Sequence, residues 1–156
     1  QRFKFPRPLL RVQRLDFSFS GLKTAVRLAA EQIAPLTPKD VADICASFQL
    51  AVTDIVSTRA AQALARFQLE QPSTRPTLVV AGGVAANQAI GDGLRRVAAS
   101  GARLVVPPIA LCTDNGAMVA WAGAERLALG DSDGLDASAQ ARWPLDSADM
   151  GLAHGH

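Results

Sequence analysis

Cysteine and histidine are scarce in this chain. Cys45 and Cys112 are the only cysteines among 156 residues. They are too few for a disulfide framework, so a cytosolic protein is the simpler expectation. The two histidines, His154 and His156, close the sequence. No His-Glu-x-x-His is present, which leaves zinc-peptidase chemistry without its parts. No apolar run reads as long enough to span a bilayer. The N-terminus is basic, but the apolar segment of a signal peptide does not follow it. Internal repeats are absent. Residue 1 is Gln and no methionine precedes Met118, so the chain is expected to be a piece of a longer protein.

What is present is globular in character. Hydrophobic residues make up 49% and charged residues 19%, consistent with one domain and a sizeable core. The net charge is only +2, but it is unevenly spread. Arg2, Lys4, Arg7, Arg11 and Arg14 crowd the first fifteen residues without an acid, whereas Asp131, Asp133, Asp136, Asp146 and Asp149 fall in the tail. A basic arm can meet nucleic-acid phosphates. Without a binding motif or interleaved aromatics, a solvated surface segment is the simpler reading.

Residues 1–15 contain Pro6 and Pro8, lack periodicity, and read as an extended arm or linker. Asp16-Phe17-Ser18-Phe19-Ser20 alternates polar and apolar residues, as a short strand does. Gly21-Leu22-Lys23-Thr24 opens a helix to about Ile33. It lacks the Gly-Lys pair and upstream glycine of a phosphate-binding loop, so Ser18 and Ser20 read as caps and Lys23 as a solvated cation. Pro35 ends that helix. Thr37-Pro38-Lys39-Asp40 supplies a capping hydroxyl, a proline at the first helical position and an acid in the first turn. The helix it starts runs from Pro38 to about Leu69. Val41, Cys45, Phe48, Val52, Ile55, Val56, Ala63 and Phe67 share one helical stripe, which places Phe48 and Phe67 in the core and makes Cys45 a buried structural thiol.

After a connector at 72–76, residues 77–81 read as a buried strand, 84–100 as a helix closed by Gly101, and 103–106 as a second strand. Gly91 and Gly93 each weaken that helix by about 1 kcal/mol, unless they permit close packing on the sheet. A final helix carries Met118, Val119, Trp121 and Leu127 and ends at Gly130; residues 131–156 read as a loose tail. Strands joined by a helix are parallel. Two strands are too few for a sheet with helices on its faces, so further strands are expected upstream of residue 1. The open edge this leaves predicts self-association of the isolated chain.

The stretch that organises the chain is Leu78-Val79-Val80-Ala81-Gly82-Gly83-Val84-Ala85-Ala86-Asn87. A strand, a Gly-Gly turn and a helix lie in succession. Glycine lets backbone approach a ligand closely, and a helix N-terminus behind it offers free N–H groups and a partial positive charge. A nucleotide suits that arrangement; so does a plain strand-to-helix turn with no ligand. In Cys112-Thr113-Asp114-Asn115-Gly116, spacing alone makes Asp114 or Thr113 a helix cap.

Three stretches, taken together in order and spacing, carry a family resemblance: Asp16-Phe17-Ser18-Phe19-Ser20-Gly21-Leu22-Lys23-Thr24, Val80-Ala81-Gly82-Gly83-Val84-Ala85-Ala86-Asn87, and Cys112-Thr113-Asp114-Asn115-Gly116-Ala117-Met118. From residue 1 to about 145, including Arg142-Trp143-Pro144-Leu145, the chain resembles the C-terminal half of the TsaD family, tRNA threonylcarbamoyladenosine transferases once called O-sialoglycoprotein endopeptidases. The resemblance implies an α/β fold of the actin/Hsp70 ATPase type, with two ribonuclease-H-like lobes and the ligand between them. Residues 16–130 would be most of the second lobe without its first strands, 1–15 a basic arm or linker, and 131–156 a tail.

It implies that Gly82 and Gly83 approach the adenosine of a nucleotide, that Asn87 contacts bound adenylate, and that Asp114 is a ligand of one divalent metal, iron or zinc. The other metal ligands, a His-x-x-x-His pair, and the phosphate-contacting glycine loop are not in this chain; His154 and His156 do not match that pair. Cys112 reads as packing. The implied activity moves a threonylcarbamoyl group from threonylcarbamoyl-adenylate to N6 of adenosine 37 in tRNAs that read codons beginning with A. It is cytoplasmic, with partner subunits and no membrane, and the isolated chain is silent. A metal-dependent endopeptidase and a non-catalytic partner-binding lobe are the alternatives.

Overall fold

The computed structural model describes residues 2–10, 12, 14–113 and 115–137. Asp114, His154 and His156 lie outside them. In chain order the elements are α1 (Ser20–Gln32), α2 (Pro38–Glu70), β1 (Thr77–Val79), a 3-10 turn (Gly83–Ala86), α3 (Gln88–Ala98), β2 (Arg103–Val105), a second 3-10 turn (Ile109–Leu111) and α4 (Gly116–Ala128). The chain divides into two compact units, Gln1–Asn115 and Gly116–His156.

In the first unit β1 and β2 pair in parallel, Thr77 opposite Arg103 and Val79 opposite Val105. The ladder continues from Val80 N–H to the Val105 carbonyl at 3.0 Å. The α/β class and parallel pairing thus agree with the expectation. The expected burial of the strand does not hold: Val79 is 63% exposed, where it lines an open cavity.

The long helix starts as its sequence dictates. Thr37 Oγ1 accepts from the Asp40 backbone N–H at 3.2 Å, the Asp40 carboxylate accepts from the Thr37 N–H at 2.9 Å, and Pro38 occupies the first turn. This reciprocal box satisfies two donors that a helix start otherwise leaves open. An 18-residue window of α2 reaches a mean hydropathy of 1.3, long and apolar enough to cross a membrane by length and composition, which corrects the expectation of no such run. Only 28% of that window is buried, because part of its apolar surface faces an open cavity.

The core sits on one flank of α2. Ile44, Ala51 and Ile55 are buried there with Phe5 and Leu22, and Phe3, Val26 and Ile33 pack against them. Spacings of three and four residues keep one helical face inward. The buried face overlaps the stripe expected from the sequence at Ile55 and Val52 and departs from it elsewhere. Phe48 is 41% and Phe67 38% exposed, and Cys45 is an exposed free thiol. A helix apolar on two faces gives no sequence signal for which face meets protein.

Residues 2–10 and 12 are docked on α2, where a solvated arm was expected. Phe5 is 5% exposed, a burial that contributes about 1.5–3 kcal/mol. The Arg7 guanidinium donates twice to Asp54 Oδ2, at 3.0 and 2.7 Å. Arg2 pairs with Asp40 and Asp43. Arg2 and Arg7 thus meet acids of α2, while Arg14 pairs with Asp16 at 2.8 Å. No strand forms at 16–20 either. Ser20 already belongs to α1, with Phe19 as its N-cap and no side-chain cap, so Ser18 and Ser20 do not cap the helix. Phe17 and Phe19 stack with centroids 6.3 Å apart, on one side as alternation requires.

The segment expected as one helix over 84–100 is two elements, a 3-10 turn and α3, with Asn87 between them in extended conformation. Gly93 packs against α2 and not against the sheet: a Cβ there would stand 2.5 Å from Ser57 Oγ and 2.8 Å from the Thr53 methyl. The second unit holds α4, followed by Gly130 at φ +85°; Arg126 near its end pairs with Asp131 at 3.3 Å.

Candidate functional site

The turn after β1 depends on Gly82. Its φ of +85° and ψ of 172° lie where a Cβ is strained. Gly82 caps the short 3-10 turn, its carbonyl accepting from Ala85 N–H at 2.9 Å. The element directly behind the glycines is thus four residues long, and the start of α3 lies at Gln88, beyond Asn87. The expected glycine turn against a long helix N-terminus is not what forms.

Beside this turn opens a cavity of about 1140 Å³. Leu78, Val79, Val80 and Ala81 all line it. Leu78 and Val79 belong to β1 and Val80 and Ala81 follow it, so the cavity runs along the end of the strand and into the turn after it. Phe17 and Phe48 line it as well, which explains how two large aromatics stay exposed inside the first unit. Of the stripe on α2 read from the sequence as core, Cys45, Phe48, Val52, Val56 and Ala63 line this cavity, while Ile55 is buried in the core as expected.

Gly83 and Asn87 line the same space; Gly82 shapes the turn that brings them there. Asn87 Oδ1 accepts from the Ile90 N–H at 3.2 Å and so caps α3. Its Nδ2 donates to Gln49 Oε1 at 3.0 Å. Asn87 is therefore a helix cap and a cavity residue together. Gln49 was missed by sequence reasoning. One polar residue on a helix has no local signature; only the packing of α2 on α3 brings it to Asn87.

The other polar group at the wall is Arg59, also missed. It is 2% exposed, donating to the Val12 carbonyl at 2.8 Å, to Gln62 Oε1 at 2.5 Å, and to the Leu9 carbonyl. Among the described residues it has no carboxylate partner, and its Nε has no acceptor.

The metal expectation rests on Asp114, which lies outside the described residues. Among the described residues no three His, Cys, Asp or Glu side chains converge to hold a metal ion. The described part of this chain does not by itself fit a metal centre. Cys112 is 3% exposed with its Sγ 3.6 Å from the Pro107 carbonyl, as a packing thiol would be.

Comparison with known proteins places these features in a family. The TsaD family, described as tRNA N6-adenosine threonylcarbamoyltransferase, matches residues 1–121. The tRNA N6-adenosine threonylcarbamoyltransferase of Sinorhizobium medicae (strain WSM419) is 57% identical over 150 residues, covering 94% of this chain and 42% of that protein. Those of Rhizobium meliloti (strain 1021) and Brucella ovis are 56% and 55% identical, each over 94% of this chain, and 42% and 41% of their own length is covered. The chain thus spans about two fifths of the length of the curated relatives it matches. With more than half of its residues inside the match, the chain belongs to the TsaD family.

Proposed function

We propose that this chain is the C-terminal part of a transferase that moves a threonylcarbamoyl group from threonylcarbamoyl-adenylate to N6 of adenosine 37, in tRNAs reading codons that begin with A. The observation that carries the reading is the identity of 57% over 94% of the chain to a protein named for that reaction. The cavity beside Gly83 and Asn87 supports it: the space is large enough for a nucleoside, and Gly82 provides the close backbone turn.

In this reading the chain is part of the second lobe of an actin/Hsp70-like fold, and Gly82, Gly83 and Asn87 face the adenosine of the donor. Asp114 contributes one ligand to an iron or zinc ion whose remaining ligands come from outside this chain. A carboxylate would suit such an ion, which would supply Lewis-acid polarisation of the donor. The protein works in the cytoplasm with tRNA and partner subunits. The isolated chain is inactive, and it self-associates along the open edge of β1, which light scattering across a dilution series checks.

The test is a transfer assay with the full-length protein, its partner subunits, donor adenylate and tRNA. Threonylcarbamoyl-adenosine is expected with the intact protein. Asp114→Ala is expected to lose both product and bound metal while keeping the fold, since loss of a cap alone costs about 1 kcal/mol. No product from the intact protein, or unchanged metal in the variant, overturns the assignment concerned.

A further inference from the structure

We propose that Gln49 is a positioning residue for Asn87, fixing which hydrogen-bonding group the site turns toward its nucleoside. The inference rests on the reading of Asn87 as a nucleoside contact.

The orientation of both carboxamides follows from one backbone donor. The Ile90 N–H in the first turn of α3 needs an acceptor, and Asn87 Oδ1 supplies it at 3.2 Å. Nδ2 must then face the other way, and it meets Gln49 at 3.0 Å. An N–H donor there requires an oxygen, so Gln49 presents Oε1. Of the two Nδ2 protons of Asn87, one is committed to Gln49. The remaining one is what Asn87 offers a ligand. That donor suits an acceptor atom on the nucleoside, a ribose oxygen or a ring nitrogen.

Gln49 is well placed to hold that orientation because its helical turn is braced. The Thr53 hydroxyl donates to the Gln49 carbonyl at 2.8 Å. Thr53 and Ser57, one and two turns further along α2, are the residues against which Gly93 of α3 is packed. Gln49, Thr53 and Ser57 thus lie on one face of α2 at four-residue spacing, and α3 meets it at its cap and again six residues on. Asn87, by contrast, lies at a joint between a 3-10 turn and α3. Without Gln49 its amide group keeps the cap but loses the partner that fixes the donor side. Both side chains line the 1140 Å³ cavity, so a ligand there meets this pair directly.

The experiment uses the full-length protein, with adenosine as an uncharged probe and calorimetry as the readout. Gln49→Leu removes the acceptor and is expected to weaken adenosine binding about 3–10-fold, the worth of one neutral hydrogen bond. Gln49→Glu keeps the acceptor and is expected to bind within about twofold of wild type, since the added charge faces a neutral probe. Asn87→Asp loses the donor but can still cap α3; combined with Gln49→Leu it is expected to bind no worse than Asn87→Asp alone, because Gln49 acts through Asn87. The side-chain amide signals of Asn87 should move in Gln49→Leu without ligand.

Unchanged affinity and unmoved amide signals in Gln49→Leu overturn the proposal. So does Gln49→Glu binding as weakly as Gln49→Leu, which would make Gln49 a donor in its own right. If wild type binds no adenosine while the Asn87 signals still respond to Gln49→Leu, the nucleoside reading fails, and the pair is only a contact between helices.

Discussion

Arg59, in the middle of α2, donates from Nη1 to the carbonyl of Val12 at 2.8 Å across 47 residues of sequence. With its bond to the Leu9 carbonyl it holds the turn that the N-terminal segment makes there, where Leu9 adopts a positive φ of 60°. A buried guanidinium answered, among the described residues, by neutral oxygens is costly to desolvate, and those bonds partly offset the cost. Arg59→Met leaves both carbonyls without their donor. We expect a loss of about 2–4 kcal/mol by urea unfolding, together with faster proteolysis within residues 1–15. An equal unfolding midpoint and an unchanged cleavage pattern would show that the clamp is idle.

Phe5 and Phe17 separate docking from cavity lining. Phe5 is 5% exposed inside the core and Phe17 is 55% exposed at the cavity. Phe5→Ala should cost about 3–5 kcal/mol, and Phe17→Ala less than about 1 kcal/mol. Thermal melts of the two variants decide it. Equal costs would mean that the segment before α1 is not packed as described.

Gly91 and Gly93 should respond oppositely to alanine. At Gly93 a Cβ meets Ser57 Oγ at 2.5 Å and Thr53 at 2.8 Å; at Gly91 it meets only the Arg95 guanidinium end, at 3.7 Å. Gly93→Ala forces α2 and α3 apart and should destabilise by about 1–3 kcal/mol. Gly91→Ala gains helix propensity, up to about 1 kcal/mol. The signs of the two shifts in melting temperature are the check.

Asp40 should titrate at unusually low pH. Hydrogen bonds from the Thr37 side chain and backbone, then from Arg2, hold its carboxyl down to about 2. A lowered folded-state pKa adds stability that is full above the unfolded value near 3.9. That stability is lost as pH falls toward about 2. Thr37→Ala removes the largest cause and should raise the Asp40 midpoint toward the ordinary carboxylate range, followed by carboxyl-carbon NMR. Arg2→Ala should raise it less. The reverse order would make the ion pair, not the capping box, the dominant influence.

Much of the local structure was legible in the residues. Thr37, Pro38 and Asp40 announced the start of α2 within one turn, because caps act through bonds closed inside four residues. The parallel pairing of β1 with β2 followed from the helix between them, and Gly82 marked a backbone conformation that other residues resist. The family was legible too, since three motifs at matched spacing are specific. Decided only in three dimensions were the face of α2 that is buried, the docking of the N-terminal segment, and the meeting of Asn87 with Gln49. Phe48 and Ile55 share the stripe read from the sequence, and periodicity cannot say that the first meets a cavity and the second meets protein. Arg2 and Arg7 looked unpaired because Asp40, Asp43 and Asp54 lie some forty residues away. Long-range pairing leaves no trace in local pattern: its energy depends on how α1, α2 and α3 pack, and that packing sums many weak contacts that no single stretch encodes.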